Sequence, residues 1–110
     1  MNVIKFSEPW DKLKNGERYF TTIRSSNPEK KRYYESQMFK EFNISLKGKI
    51  IGTAKLESIQ ELPGYAVPGE ILDDDVKING EINREWWHKI DYTPHVLMLY
   101  LGWVKKEVEA

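Results

Sequence analysis

The chain has 110 residues, 40% of them apolar, which is the size of one domain with one core and argues against a disordered tail. Cysteine is absent, so disulfide scaffolds, thiol nucleophiles and Cys-ligated metal centres are excluded. Lys and Arg (17) balance Asp and Glu (17), but residues 1–60 hold 12 basic against 7 acidic residues and residues 61–110 hold 5 against 10, so the first half could present a basic surface to an anion such as RNA.

Asn2 to Phe6 reads as a short strand. Ser7-Glu8-Pro9 carries helix-start signals, and Asn15-Gly16 a helix stop, so a helix is expected between them with Trp10 and Leu13 on its buried face. Arg18 to Arg24 is rich in aromatic and β-branched residues and predicts a strand. Ser25-Ser26-Asn27-Pro28 breaks it, Glu29 to Arg32 reads as a solvated basic segment, and the spacing of Tyr34, Met38 and Phe42 suggests a short helix over 33–40. Phe42, Ile44 and Leu46, then Ile50, Ala54 and Leu56 across Lys47-Gly48, predict a hairpin with one buried face. Gly52 on that face marks a bulge or a close approach by another element.

Residues 62–81 read as loops and turns, including Pro63-Gly64, Pro68-Gly69 and Asn79-Gly80. Ile82, Trp86 and Ile90 predict a short amphipathic helix with Trp86 in the core and Trp87 exposed or at a cleft rim. Val96 to Val104, apolar on both faces, reads as a central strand, and the charged tail from Lys105 as frayed. The order predicts an α+β fold: a small, mixed, strongly curved sheet or β-barrel with short helices, in a single domain over residues 1–110. The longest apolar run, Val96 to Leu101, is far below the roughly 20 residues of a membrane span. The N-terminus lacks an apolar signal core, so a cytoplasmic protein with no membrane partner is expected.

Leu13 to Arg24 resembles the signature of the ASCH family, of the PUA-like β-barrel superfamily. That signature is a helix ending in Gly, a Lys two residues later, and Thr-x-Arg on the next strand. Gly16 and Thr22-Ile23-Arg24 fit it. The Lys position holds Arg18, and one extra residue separates Gly16 from Thr22. Anchoring on Gly16 instead would make Thr21 the motif threonine and put Ile23 at the arginine position. The first strand, the hairpin around Ile44–Glu57 and the last strand are similar to further parts of the family, and residues 60–95 match nothing specific. The resemblance implies a PUA-like fold and an RNA-related role, either binding RNA or a modified nucleotide in the barrel cleft, or acting on a nucleoside or RNA phosphate. Some small members look like amidohydrolases that deacetylate a modified cytidine, with the motif Lys, the motif Thr and a distant Glu. That would make Thr22 and Arg18 catalytic here. Arg keeps its proton, so Arg18 removes the obvious base and little turnover of N4-acetylcytidine is expected.

The residues independently allow two readings. Arg18, Thr22 and Arg24 could form an anion site, with Tyr19, Phe20 or Trp87 stacking a base, provided a bulge near Phe20–Thr21 bends the strand. Alternatively both arginines bond carboxylates such as Glu57 or Glu70, and Trp87 is packing. The cluster Glu70, Asp73, Asp74, Asp75 could bind a hard cation, but reads better as a solvated turn with an Asp helix cap. His88 and His95 have no shared ligand spacing. No phosphate-binding glycine loop or dinucleotide fingerprint is present, so no cofactor or metal is expected. An RNA-binding module, a small hydrolase and a protein-interaction domain remain as functional classes.

Overall fold

A computed structural model describes residues 2–107. Five strands form one sheet in the order β1-β3-β4-β7-β2: β1 Asn2–Phe6, β2 Tyr19–Ser25, β3 Glu41–Leu46, β4 Lys49–Leu62 and β7 Val96–Lys106. Only β1 and β3 run parallel; the other pairs are antiparallel. The sheet curls into a half-barrel, as expected for a small curved α+β fold. Helices α1 (Pro28–Ser36), α2 (Gly69–Asp75) and α3 (Arg84–Asp91) complete it, with a two-stranded hairpin of β5 (Lys77–Ile78) and β6 (Glu81–Ile82). No helix among the described residues is long and apolar enough to cross a membrane.

Bulges supply the curvature. β4 pairs with β7 through register shifts at Thr53/Ala54 and Leu56/Ser58, and with β3 through a shift at Ile44/Ser45. Each extra residue bends the sheet and increases its twist. At the third bulge Ile51 and Gly52 together oppose Ile44. This corrects the expected hairpin register: Phe42, Ile44, Ala54 and Leu56 are buried, but Ile50 is 37% exposed and Ile51 takes its place at 6%. Ser45 is buried as well, on the side expected to face solvent. Gly52 is a close approach: a Cβ there would overlap the Lys105 carbonyl and crowd the Trp103 ring.

Other expectations are corrected locally. The first helix shrinks to a 3-10 turn, Asp11–Leu13, because Trp10 is extended and Lys14 already leaves helical geometry. Trp10 and Leu13 are nevertheless both buried. α1 starts earlier than expected, at Pro28, because the Asn27 side chain accepts the Lys30 N–H at 2.8 Å and caps the helix. Residues 62–81 hold α2 and the β5–β6 hairpin as well as turns. β2 pairs with β7 in unbroken register, so the bulge expected near Phe20–Thr21 is absent. β7 is an interior strand as expected, and it includes Lys105 and Lys106; the rest of the charged tail beyond Glu107 lies outside the described residues.

β1 and β2 are the two outer strands, and the curl brings them together. The Arg24 guanidinium on β2 donates from Nη2 to the Lys5 carbonyl on β1 at 3.0 Å and lies over the Phe6 ring. The Phe6 and Phe20 rings meet edge to face beneath it. One side chain therefore spans a seam that no strand pairing closes.

The bulge at Ile51 is directly testable. Ile51→Ala should destabilise by about 2–5 kcal/mol in chemical denaturation, and Ile50→Ala by less than about 1 kcal/mol. The reverse order would reject this register.

Candidate functional site

The cleft opens along the seam, between β1, β2 and α3. Its volume is about 320 Å³. Its floor is Thr22 and Ile23 of β2 together with Lys12 and Asp75, and its walls carry Phe6, Trp10 and Trp86. Lys5, Arg24, Lys30 and Lys89 stand around it.

Lys12 reaches the floor from the 3-10 turn, where Leu13 anchors the segment in the core. Asp75 reaches it from the last position of α2, whose inward face carries Leu72 and Asp75, with Val76 buried just beyond the helix end. Their side chains meet at 2.5 Å, Lys12 6% and Asp75 4% exposed. Burial pushes the Lys12 ammonium below the usual lysine range, against the pull of Asp75. Burial likewise pushes the Asp75 carboxyl above the usual range, while Lys12, Arg24 and the Ile23 amide pull it down. Burial thus opposes the charged form of each partner, and their mutual attraction offsets part of that cost.

Thr22 is buried beside this pair, and its Oγ1 accepts the Arg24 Nε–H at 3.3 Å. Arg24 and Lys12 both lie over the Phe6 ring, 4.9 Å and 5.1 Å from its centroid. Two cations thus share one ring, and Lys12 alone pairs with the buried carboxylate. Among the described residues Arg24 has no carboxylate partner, nor have Lys5, Lys30 and Lys89. On the wall, Trp10 and Trp86 meet edge to face at 5.9 Å, and Lys89 lies over the Trp86 ring.

Of the six residues expected to bind a ligand, Thr22 and Arg24 line this cleft and Arg18, Tyr19, Phe20 and Trp87 do not. Arg18 is exposed at the entrance to β2, its guanidinium against the Tyr19 ring, and its carbonyl accepts the Trp103 N–H. The unbulged strand keeps Arg18 and Arg24 apart. Tyr19 stacks on Tyr100 away from the cleft, and Phe20 is core, packed on Phe6 and Trp103. The two tryptophans exchange places: Trp86 lines the cleft, while Trp87 packs on the core and donates its indole N–H to Asp73 at 3.0 Å. The acidic run is no simple solvated turn, since Asp73 holds Trp87, Asp74 pairs with Lys77, and Asp75 is buried on Lys12. The described residues contain no cluster able to hold a metal ion. His88 and His95 are exposed and lie outside the cleft.

Reading the sequence missed Lys12, and it named Asp75 only as a possible cation ligand or part of a solvated turn, not as the partner of Lys12. The available signal was a lysine between Trp10 and Leu13, and an aspartate within the apolar spacing of Leu72 and Val76. The fold and site define an α+β half-barrel with a cationic, aromatic-walled cleft. Compared with protein-family models, curated proteins and solved structures, the chain matches none.

The pair makes an asymmetric prediction. Lys12→Met alone leaves a buried carboxylate unpaired and should cost about 3–5 kcal/mol in denaturant unfolding. Lys12→Met with Asp75→Leu should restore most or all of that loss. A double variant no more stable than the single would show that the pair itself holds the fold together.

Proposed function

We propose that the cleft binds RNA or a modified nucleotide, with an anionic group on Arg24 and the neighbouring lysines and a base against Trp10 and Trp86. The observation that carries this reading is the charge imbalance: five cationic side chains line the cleft, and its single carboxylate, Asp75, is already engaged by Lys12. Such a cleft concentrates anions, and aromatic walls suit a flat heterocycle. An arginine fork matches phosphate oxygens, and Arg24 has donors beyond those given to Thr22 and Lys5. The resemblance of Gly16 and Thr22-Ile23-Arg24 to the ASCH signature supports the same class of ligand.

The test is titration with nucleotides and short single-stranded RNA. Affinity should fall as salt rises. Arg24→Gln should weaken binding roughly tenfold or more, in line with ~1.5–3 kcal/mol for a hydrogen bond to a charged group, with the circular dichroism spectrum unchanged. Unaltered affinity in both Arg24→Gln and Lys89→Gln would sink the reading.

A second reading, hydrolysis of a nucleoside amide, is favoured by one observation: Lys12 lies on the same floor as Thr22. Burial drives Lys12 toward the neutral amine, the form that can take the Thr22 proton and that Arg18 could not supply. In this reading Thr22 Oγ1 attacks the acyl carbonyl, Lys12 receives the hydroxyl proton, and Arg24 stabilises the oxyanion. Lys12 then returns the proton to the leaving amine, and water releases the acyl group from Thr22. The base is active only when deprotonated. Turnover of N4-acetylcytidine should therefore rise with pH through an ascending limb placed below the usual lysine range. Loss of turnover in both Thr22→Ala and Lys12→Gln is expected; turnover that survives either change rules the mechanism out.

A further inference from the structure

A second hollow adjoins the cleft. It has a volume of about 340 Å³ and is lined by Arg24, Glu29, Lys30, Tyr33 and Tyr34. Arg24 and Lys30 line both cavities, so two cations stand where the cavities meet. Each cavity is of the scale of a small-molecule site, and each has aromatic rings on its wall. In the hollow the Tyr33 and Tyr34 rings meet edge to face at 5.1 Å. Tyr34 is fixed from below by Phe42, while Tyr33 is 41% exposed and presents its ring outward.

We infer that the cleft and the Tyr33–Tyr34 hollow form one dinucleotide site, in which Arg24 and Lys30 hold the phosphodiester between two splayed bases of a single RNA strand. This inference rests on the nucleotide-binding reading above and specifies its ligand. The order of groups along the groove is ring, cation, ring, and a dinucleotide repeats that order as base, phosphate, base. Single-stranded RNA is recognised in this way, by stacking of unpaired bases on aromatic side chains with cations on the backbone.

The hollow is held in place independently of any ligand. Asn27 caps α1, Lys31 pairs with Glu61 of β4 at 3.6 Å, and Ser26 donates to the same carboxylate at 2.6 Å. Glu29 is the one carboxylate of the hollow, and it suits a base that carries an exocyclic amino donor such as cytosine.

Calorimetric titration of the full chain with cytidine 3′-monophosphate and with the dinucleotide CpC tests this. CpC should bind roughly tenfold tighter or better, the contribution of one additional stacked base. Tyr33→Ala should reduce CpC to the affinity of the monophosphate and leave the monophosphate unchanged, whereas Tyr33→Phe should keep the dinucleotide advantage. Equal affinity for the two probes, or an equal loss for both in Tyr33→Ala, overturns the dinucleotide site and leaves the mononucleotide reading standing. Failure of both probes to bind overturns the two readings together.

Discussion

Two cations over the Phe6 ring, Lys12 and Arg24, and the Asp75 carboxylate that pairs with Lys12 organise this protein. One carboxylate for two cations leaves a positive charge that the interior does not neutralise. Burying an uncompensated charge is costly, and here part of the cost is avoided by placing Arg24 at a cleft open to water. The same three residues tie distant parts of the chain together. Lys12 and Asp75 are 63 positions apart and join the N-terminal turn to α2. Next to Lys12, the Asp11 carboxylate accepts the Asn79 and Gly80 amides at 2.8 Å each, holding the β5–β6 turn against that segment. The segment of α2 and the β5–β6 hairpin is thereby held where Asp75 reaches the cleft floor, although it adds no strand to the main sheet.

The strands and turns were legible because their signals are local. Alternation in Phe42–Leu46, the apolar run from Val96 and the turn residues Lys47-Gly48 and Asn79-Gly80 report backbone conformations set within a few residues. The cap at Asn27 was equally readable, yet the basic residues behind it looked like a solvated coil. Bulges were harder: whether Ile50 or Ile51 enters the core depends on a register shift against β3 that the strand itself does not encode. The cleft was the least legible part. Thr22 and Arg24 stand two residues apart on one strand, so strand alternation alone places them on one face. Lys12, Lys30, Asp75 and Lys89 come from separate segments and meet only when the sheet curls. Arg18 does not join them, because the unbulged β2 carries it out of reach of the cleft.

Curvature links these observations. The bulges in β4 and β7 draw β1 toward β2, and Gly52 permits the close crossing of β4 by the end of β7. A flatter sheet would leave Thr22 on an open face, without aromatic walls and without Lys5 opposite Arg24. The site is thus a product of sheet shape, with its polar groups contributed by whichever segments the curl brings near.

The guanidinium across the seam has a consequence for how this protein behaves in a crowded solution. An open sheet ends in two strands whose unpaired amides and carbonyls invite addition of a strand from another chain. In this half-barrel those two edges face each other, with Arg24 taking up the Lys5 carbonyl and the 3-10 turn and α2 packed along β2. The two strand edges are thus turned toward each other and partly covered, which leaves a neighbouring chain less exposed edge to pair with than an open sheet of the same strands would.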